Sequence, residues 1–142
     1  YQWADGSKFK GTWKDNKING SVFYSNKTQG LYTWVDGRKY EGEWLNNSMH
    51  GRGMYVWKNG RKYEGEYVHD KKHGFGIYYW VDGRRYEGYW QNSKQHGMGK
   101  YILPDGSSKV GIWENGQRLK WVDNVKDIDR PADWIDFKSS AN

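Results

Sequence analysis

The chain has 142 residues, a length suited to one domain, and 23 Lys and Arg against 17 Asp and Glu give a formal net charge of +6. A mean hydropathy of −1.16 with 28% charged residues leans toward disorder, but 10 Trp, 12 Tyr and 4 Phe reverse that reading by supplying apolar area on flat rings with polar tips. The absence of cysteine excludes disulfides and thiolate metal sites and favours a reducing compartment, while no apolar run approaches the ~20 residues of a membrane span and no signal peptide is visible.

In chain order, Tyr1-Gln2-Trp3-Ala4-Asp5-Gly6 matches Tyr32-Thr33-Trp34-Val35-Asp36-Gly37, so residues 1–8 read as the tail of a unit. A first residue of Tyr rather than Met points to a piece of a longer chain. Phe9-Lys10-Gly11-Thr12-Trp13 opens the next unit, 9–37, as its first strand. Eight more residues separate Trp13 from Trp34 than Trp44 from Trp57, which predicts an enlarged loop or small hairpin around Ile18, Val22, Phe23 and Tyr24. Three regular units follow, 38–60, 61–83 and 84–106, and they repeat at an interval of 23 residues. Tyr40, Tyr63 and Tyr86 correspond, as do Gly42, Gly65, Gly88 and Gly111, then Tyr32, Tyr55, Tyr78 and Tyr101, and also His50, His73 and His96. A partial unit, 107–121, begins at Lys109-Val110-Gly111-Ile112-Trp113 but carries Leu119-Lys120 where His-Gly is expected. Self-similarity at a fixed period marks a stacked array in which no unit has a core of its own.

Within a unit, Tyr40, Gly42 and Trp44 alternate with Glu41 and Glu43, and Gly53, Tyr55 and Trp57 alternate with Met54 and Val56. A period of two predicts strands with unlike faces. A Gly-containing turn at Asn46 to Gly53, with Asp36-Gly37, Asn59-Gly60, Asp82-Gly83 and Asp105-Gly106 turns, joins them into consecutive antiparallel hairpins. Helical periodicity is absent from the array, so the fold class is all-β. The tail, 122–142, changes character. Trp121, Trp134, Ile135 and Phe137 are placed to cap the edge of the final strand, and Pro131 suits the first turn of a short helix from Ala132 to Phe137.

The motif Tyr-Glu-Gly-Glu-Trp followed by His-Gly-x-Gly-x-Tyr, with Asp-Gly or Asn-Gly closing each unit of 23 residues, resembles the MORN (membrane occupation and recognition nexus) repeat from Tyr1 to about Trp121. The resemblance implies a single-layered, twisted antiparallel sheet shaped as a half-pipe, with rings on its inner side. By matched position these are Tyr40, Trp44, Tyr55, Trp57, Tyr63, Tyr67, Tyr78, Trp80, Tyr86, Trp90 and Tyr101. The insertion after Trp13, Lys27-Thr28 in place of His-Gly, and Leu103 in place of a ring depart from the pattern.

A second, outward parity carries Leu31, Met54, Val56, Phe75, Ile77, Tyr79, Met98 and Ile102, an apolar face that either binds a partner or is covered by the insertion, the tail or the rest of the protein. Basic pairs at Arg38-Lys39, Arg61-Lys62, Lys71-Lys72 and Arg84-Arg85 are candidate contacts for acidic lipid, whereas their scatter among glutamates argues against a nucleic-acid groove. Glu41, Glu64 and Glu87 read as surface charge ladders with Lys39, Lys62 and Arg85. Equivalent residues in successive units lie roughly 10 Å apart, so His50, His73 and His96 cannot share one metal and are expected to bond turn backbone; His69 is expected to be exposed. Asp127, Asp129 and Asp133 resemble the start of a calcium loop, but Ala132 and Lys138 stand where its glycine and glutamate belong. No nucleotide-binding or nucleophile motif occurs, and no cofactor or metal is expected.

The reading is a non-catalytic scaffold or adaptor that binds a partner's helix or extended peptide, in the cytoplasm at cytoskeletal, ciliary or membrane-associated structures. Alternatives are an acidic-phospholipid (phosphoinositide) module for membrane apposition, and, by resemblance, a regulatory region of a larger enzyme such as a phosphoinositide kinase or SET-domain methyltransferase. Self-association through array ends or apolar faces is a further expectation.

Overall fold

A computed structural model describes residues 1–10, 12–14, 17–19 and 30–134. Its strands are β1 (Lys8–Lys10), β2 (Thr12–Lys14), β3 (Lys17–Asn19), β4 (Gly30–Thr33), β5 (Lys39–Leu45), β6 (Ser48–Val56), β7 (Lys62–Val68), β8 (Lys71–Tyr79), β9 (Arg85–Gln91), β10 (Lys94–Ile102), β11 (Ser108–Glu114) and β12 (Gln117–Trp121). Ten of them form one antiparallel sheet in the order β1-β4-β5-β6-β7-β8-β9-β10-β11-β12, so each hairpin pairs with the next without a crossover. This is the all-β sheet of consecutive hairpins that the period of two predicts, in the single layer that the resemblance implies.

The expected strand Phe9 to Trp13 is divided. Its first part, β1, pairs with β4, whereas Thr12–Lys14 turns away to pair with β3, opposing Trp13 to Ile18. The inserted hairpin therefore exists at Ile18, while Val22, Phe23 and Tyr24 lie outside the described residues. The turn expected over Asn46 to Gly53 is much tighter. Asn46 and Asn47, His69 and Asp70, and Asn92 and Ser93 form two-residue turns with both φ angles positive, the twist that suits a hairpin. Residues 48–53 consequently belong to β6, and the His-Gly signature sits in a strand rather than a turn. The second turn residue also docks onto the preceding hairpin: Asp70 N–H donates to Met49 O at 3.0 Å, Ser93 N–H to Lys72 O at 3.0 Å, and Gly116 N–H to Gln95 O at 2.8 Å.

The core is a raft of rings on one face. Tyr40, Tyr63 and Tyr86 are fully buried, and each lies over a glycine two strand positions along on its neighbour: Gly53, Gly76 and Gly99. Any Cβ at those glycines would collide with the ring. Each hydroxyl donates at 3.0 Å to a carbonyl three residues on, at Glu43, Glu66 and Tyr89. Edge-on neighbours complete the enclosure. Tyr63 meets Tyr67 of its own unit at 5.3 Å and Trp90 of the next at 5.5 Å, and Tyr86 meets Trp90 at 5.2 Å and Trp113 at 5.0 Å. Trp44 and Trp90 also donate from Nε1 to the carbonyls of Gly30 and Gly76. Rings thus hydrogen-bond at their rims while their faces exclude water.

Tyr63→Phe, which keeps the ring and loses the bond to Glu66 O, is expected to cost about 1 kcal/mol in urea unfolding. Tyr63→Ala should cost about 3–5 kcal/mol; equal costs for the two would show that the ring contributes little beyond its hydroxyl.

Candidate functional site

The ring face becomes a usable surface along one edge, where a clasp repeats three times. The loop Val35-Asp36-Gly37 is closed by Trp34 N–H to Arg38 O at 2.9 Å, with Gly37 at φ 97°, a three-residue hairpin loop ending in a left-handed residue. This geometry brings Arg38 back beside Trp34. Its Nε donates to Asp36 at 2.8 Å, its Nη1 donates to Tyr55 Oη at 3.0 Å, and its guanidinium lies 5.1 Å from the Trp34 ring. Arg61 repeats the arrangement with Asn59, Tyr78 and Trp57, and Arg84 with Asp82, Tyr101 and Trp80. Backbone N–H groups of Arg38 and Arg84, helped by the guanidinium groups, hold the Asp36 and Asp82 carboxyls below their ordinary range.

Of the eleven rings assigned to the inner side, Tyr40, Trp44, Tyr55, Tyr63, Tyr67, Tyr78, Tyr86 and Trp90 are buried against one another. They are framework in this structure. Trp57, Trp80 and Tyr101 are only partly covered, and Trp34 and Trp121 share that position. From Lys72 to β12, Trp80, Tyr101 and Trp121 border three adjoining depressions. One of about 310 Å³ is lined by Lys72, Tyr78, Trp80, Trp90, Ser93, Lys94, Gln95 and Gly116. A second of about 380 Å³ lies between Trp80, Arg84, Gln95, Tyr101, Trp113, Arg118 and Trp121. A third of about 200 Å³ lies between Tyr101, Leu103, Ser107, Ser108, Lys109 and Trp121. Trp121 stands beside Leu103, where the repeat lacks its ring.

The repeat framework, the spacing of its rings and the clasp recur in register. The MORN repeat family model matches residues 9–21, 40–60, 63–84 and 86–108, more than half of the chain. The chain belongs to the MORN repeat family. No curated protein matches it.

The reverse face of this MORN array differs from expectation. Glu41, Glu64 and Glu87 are not surface ladders: they are 4%, 5% and 5% exposed. Tyr79 Oη donates to Glu64 at 2.7 Å, and Arg85 and Arg130 both bind Glu87. Glu66 accepts the Phe75 N–H at 3.3 Å beside the His73-Gly74-Phe75 irregularity of β8. The described part of the tail, up to Trp134, runs away from the last strand, and Ile135 and Phe137, also assigned to the cap, lie outside the described residues. The described part crosses the reverse face as a strap, through Lys100 to Asp127, Tyr89 Oη to the Asp129 carbonyl at 2.9 Å, and Arg130 to Glu87. Trp134 ends it edge-on to Phe75 at 4.7 Å, with the Arg52 guanidinium 3.8 Å over its own ring. Pro131 to Trp134 makes one hydrogen-bonded turn, and the rest of the expected helix, like all of residues 135–142, lies outside the described set. Among the apolar residues assigned to this face, Phe75, Ile77 and Ile102 are therefore buried, Leu31, Met54, Val56 and Tyr79 are half-buried, and Met98 is exposed.

Strand alternation also separates the basic pairs. Arg38, Arg61 and Arg84 belong to the ring-face clasps, whereas Lys62 lies over Tyr79 and Arg85 binds Glu87 on the reverse face. Lys39 and Lys71 are exposed, and Lys72 is not, its ammonium 5.4–5.8 Å from the centres of Trp57, Tyr63, Tyr78 and Trp90. Burial lowers its pKa, and the nearby Arg61 charge adds to that. Of the repeated histidines, His96 Nδ1 accepts the Asn115 N–H of a turn at 3.4 Å, as expected; His50 Nδ1 is buried without a partner, and His73 is exposed. His69 is exposed, 5.3 Å from His50. Among the described residues no group of three or more His, Cys, Asp or Glu is arranged for a metal. Trp34, Gln95, Arg118 and Trp121 are absent from the residues assigned by resemblance, although Trp34 stands in register with Trp57 and Trp80.

Glu43 of β5 faces the corresponding irregularity of β6, taking the Arg52 N–H, with Oε1 buried and unbonded. Burial is the main cause that pushes its carboxyl from the ordinary 4.5 up to about 7. Because the folded pKa lies above the unfolded one, stability from this group is complete below about pH 4.5 and is lost as pH rises to about 7. Glu43→Gln should therefore match the wild type at pH 4.5 and exceed it by about 2 kcal/mol at pH 8 in urea unfolding, allowing for partial solvation. A pH-independent difference would contradict this placement of the carboxyl.

Proposed function

We propose that this MORN array is a non-catalytic adaptor module that holds a polypeptide segment of a partner protein along the ring face, from Trp57 to Trp121. The supporting observation is the row of half-covered rings that continues from Trp57: Trp80, Tyr101 and Trp121 border contiguous depressions, and Arg61 and Arg84 flank the row with guanidiniums that are already fixed. Aromatic rings and arginine dominate binding energy when water is excluded around them. Fixing them before contact reduces the ordering cost of association. The residues lining the depressions include neither a carboxylate nor a histidine. The setting we favour is cytoplasmic, at a cytoskeletal, ciliary or membrane-associated assembly.

An array carrying Trp80→Ala and Trp121→Ala is expected to lose capture of the native partner from cell extract while its far-UV spectrum stays close to wild type. Capture undiminished by both changes would place the contact off the ring face. Separation of the basic pairs onto two faces predicts only weak, salt-sensitive flotation with phosphatidylserine vesicles; tight binding at physiological salt would favour a membrane-apposition role.

A further inference from the structure

Every charged residue lining the three depressions is a cation: Lys72, Lys94, Arg84, Arg118 and Lys109. Only Arg84 has its charge met by a carboxylate, that of Asp82, among the described residues. Lys72 is the most enclosed of the five. Its ammonium faces four ring systems, and no carboxylate of the described residues lies within ion-pair distance.

The fold does not require a cation there. The repeat places Met49 one unit earlier at the equivalent position, where it is 8% exposed, and both backbones are held in the same way. Asp70 bonds Met49 N–H at 2.7 Å through its carboxylate, and Ser93 bonds Lys72 N–H at 3.0 Å through its hydroxyl. An unbranched apolar side chain therefore serves the packing. An ammonium in its place gives up hydration for ring contacts that compensate only in part, and an arriving anion would complete its surroundings.

We infer that Lys72 is the carboxylate-reading residue of the groove and that the partner segment is acidic. This rests on the ring-face reading above. The series Met49, Lys72, Gln95, Arg118 runs across the strands one unit at a time, which sets Lys72 and Arg118 roughly 20 Å apart at ~4.8 Å per strand. An extended segment rising ~3.3 Å per residue meets both with acidic side chains about six residues apart. A peptide fits better than a membrane surface because these cations lie within ring-lined depressions, while the neighbouring Lys71 and Lys39 are exposed elsewhere.

The test is fluorescence-detected binding of a labelled Glu/Tyr random copolymer to the full chain, with a Lys/Tyr copolymer and phosphatidylserine vesicles in parallel. The Glu/Tyr copolymer should bind and the Lys/Tyr copolymer should not. Lys72→Met should weaken binding about tenfold with an unfolding midpoint equal to or above that of the wild type, Lys72→Arg should retain it within a few-fold, and Lys71→Met should change it less than about twofold. Equal affinity in wild type and Lys72→Met, an equal loss in Lys71→Met, no binding of the acidic copolymer, or vesicles that bind without competing with it would each overturn the inference. The two readings separate with Trp80→Ala. Binding lost there but kept in Lys72→Met preserves the groove and removes the lysine's role, whereas binding kept in both removes the ring face as the site.

Discussion

A tyrosine ring laid flat on the backbone of a facing glycine is the contact on which this molecule depends. A single sheet has no second layer to bury its side chains, so it must exclude water with groups that lie along its own surface. Tyr40, Tyr63 and Tyr86 do so over Gly53, Gly76 and Gly99, and the glycine pairs Gly42–Gly53, Gly65–Gly76 and Gly88–Gly99 leave the space required. Glycine in a strand normally weakens it. Here its missing Cβ is the condition for the ring contact, and the edge-on Trp44 against Phe9, Tyr67 against Tyr40, Trp90 against Tyr63 and Trp113 against Tyr86 link each unit to the next. Nearest-neighbour coupling of this kind is what makes a repeat array stable only as an array.

The opposite face has no such solution. Its carboxylates and aliphatic side chains alternate across the strands, with Met54 and Ile77 set between Glu41, Glu64 and Glu87. Long basic side chains, tyrosine hydroxyls and the strap cover that mixture. The strap meets the unit whose sequence is unusual: Tyr89 replaces the glutamate found at Glu43 and Glu66, and its hydroxyl holds the strap at Asp129. The two faces consequently differ in accessibility. The reverse face between β8 and β10 is engaged by the chain itself, and the ring face from Trp80 to Trp121 remains open with a cationic lining.

Much of the fold was legible because a strict period exposes both strand alternation and register. Hairpin order and strand register follow from Tyr40, Tyr63 and Tyr86 recurring with their glycines, and the family resemblance adds that these rings share one face. Depth was not legible. A strand's parity says which face a side chain occupies, not how its neighbours cover it, so most of the rings assigned to a groove are buried framework. The turn was misplaced because Asn46-Asn47 and His69-Asp70 are short non-glycine pairs, whereas the conspicuous glycines of His-Gly-x-Gly lie at the strand irregularity beyond them. The strap depends on contacts about 40 residues apart, such as Tyr89 with Asp129, and no local pattern announces them. Lys72 was grouped with Lys71 because adjacent charges look alike in sequence, although a strand sends them to opposite sides.

The central claim is most directly tested by a double-mutant cycle in urea unfolding that combines Tyr63→Ala with Gly76→Ala. With the ring present, a methyl group at Gly76 should cost about 3 kcal/mol through overpacking; with the ring removed, its cost should fall close to zero, giving a coupling of at least about 2 kcal/mol. Additive costs within about 0.5 kcal/mol would mean that ring and glycine act independently, and would contradict the account of how this sheet holds together.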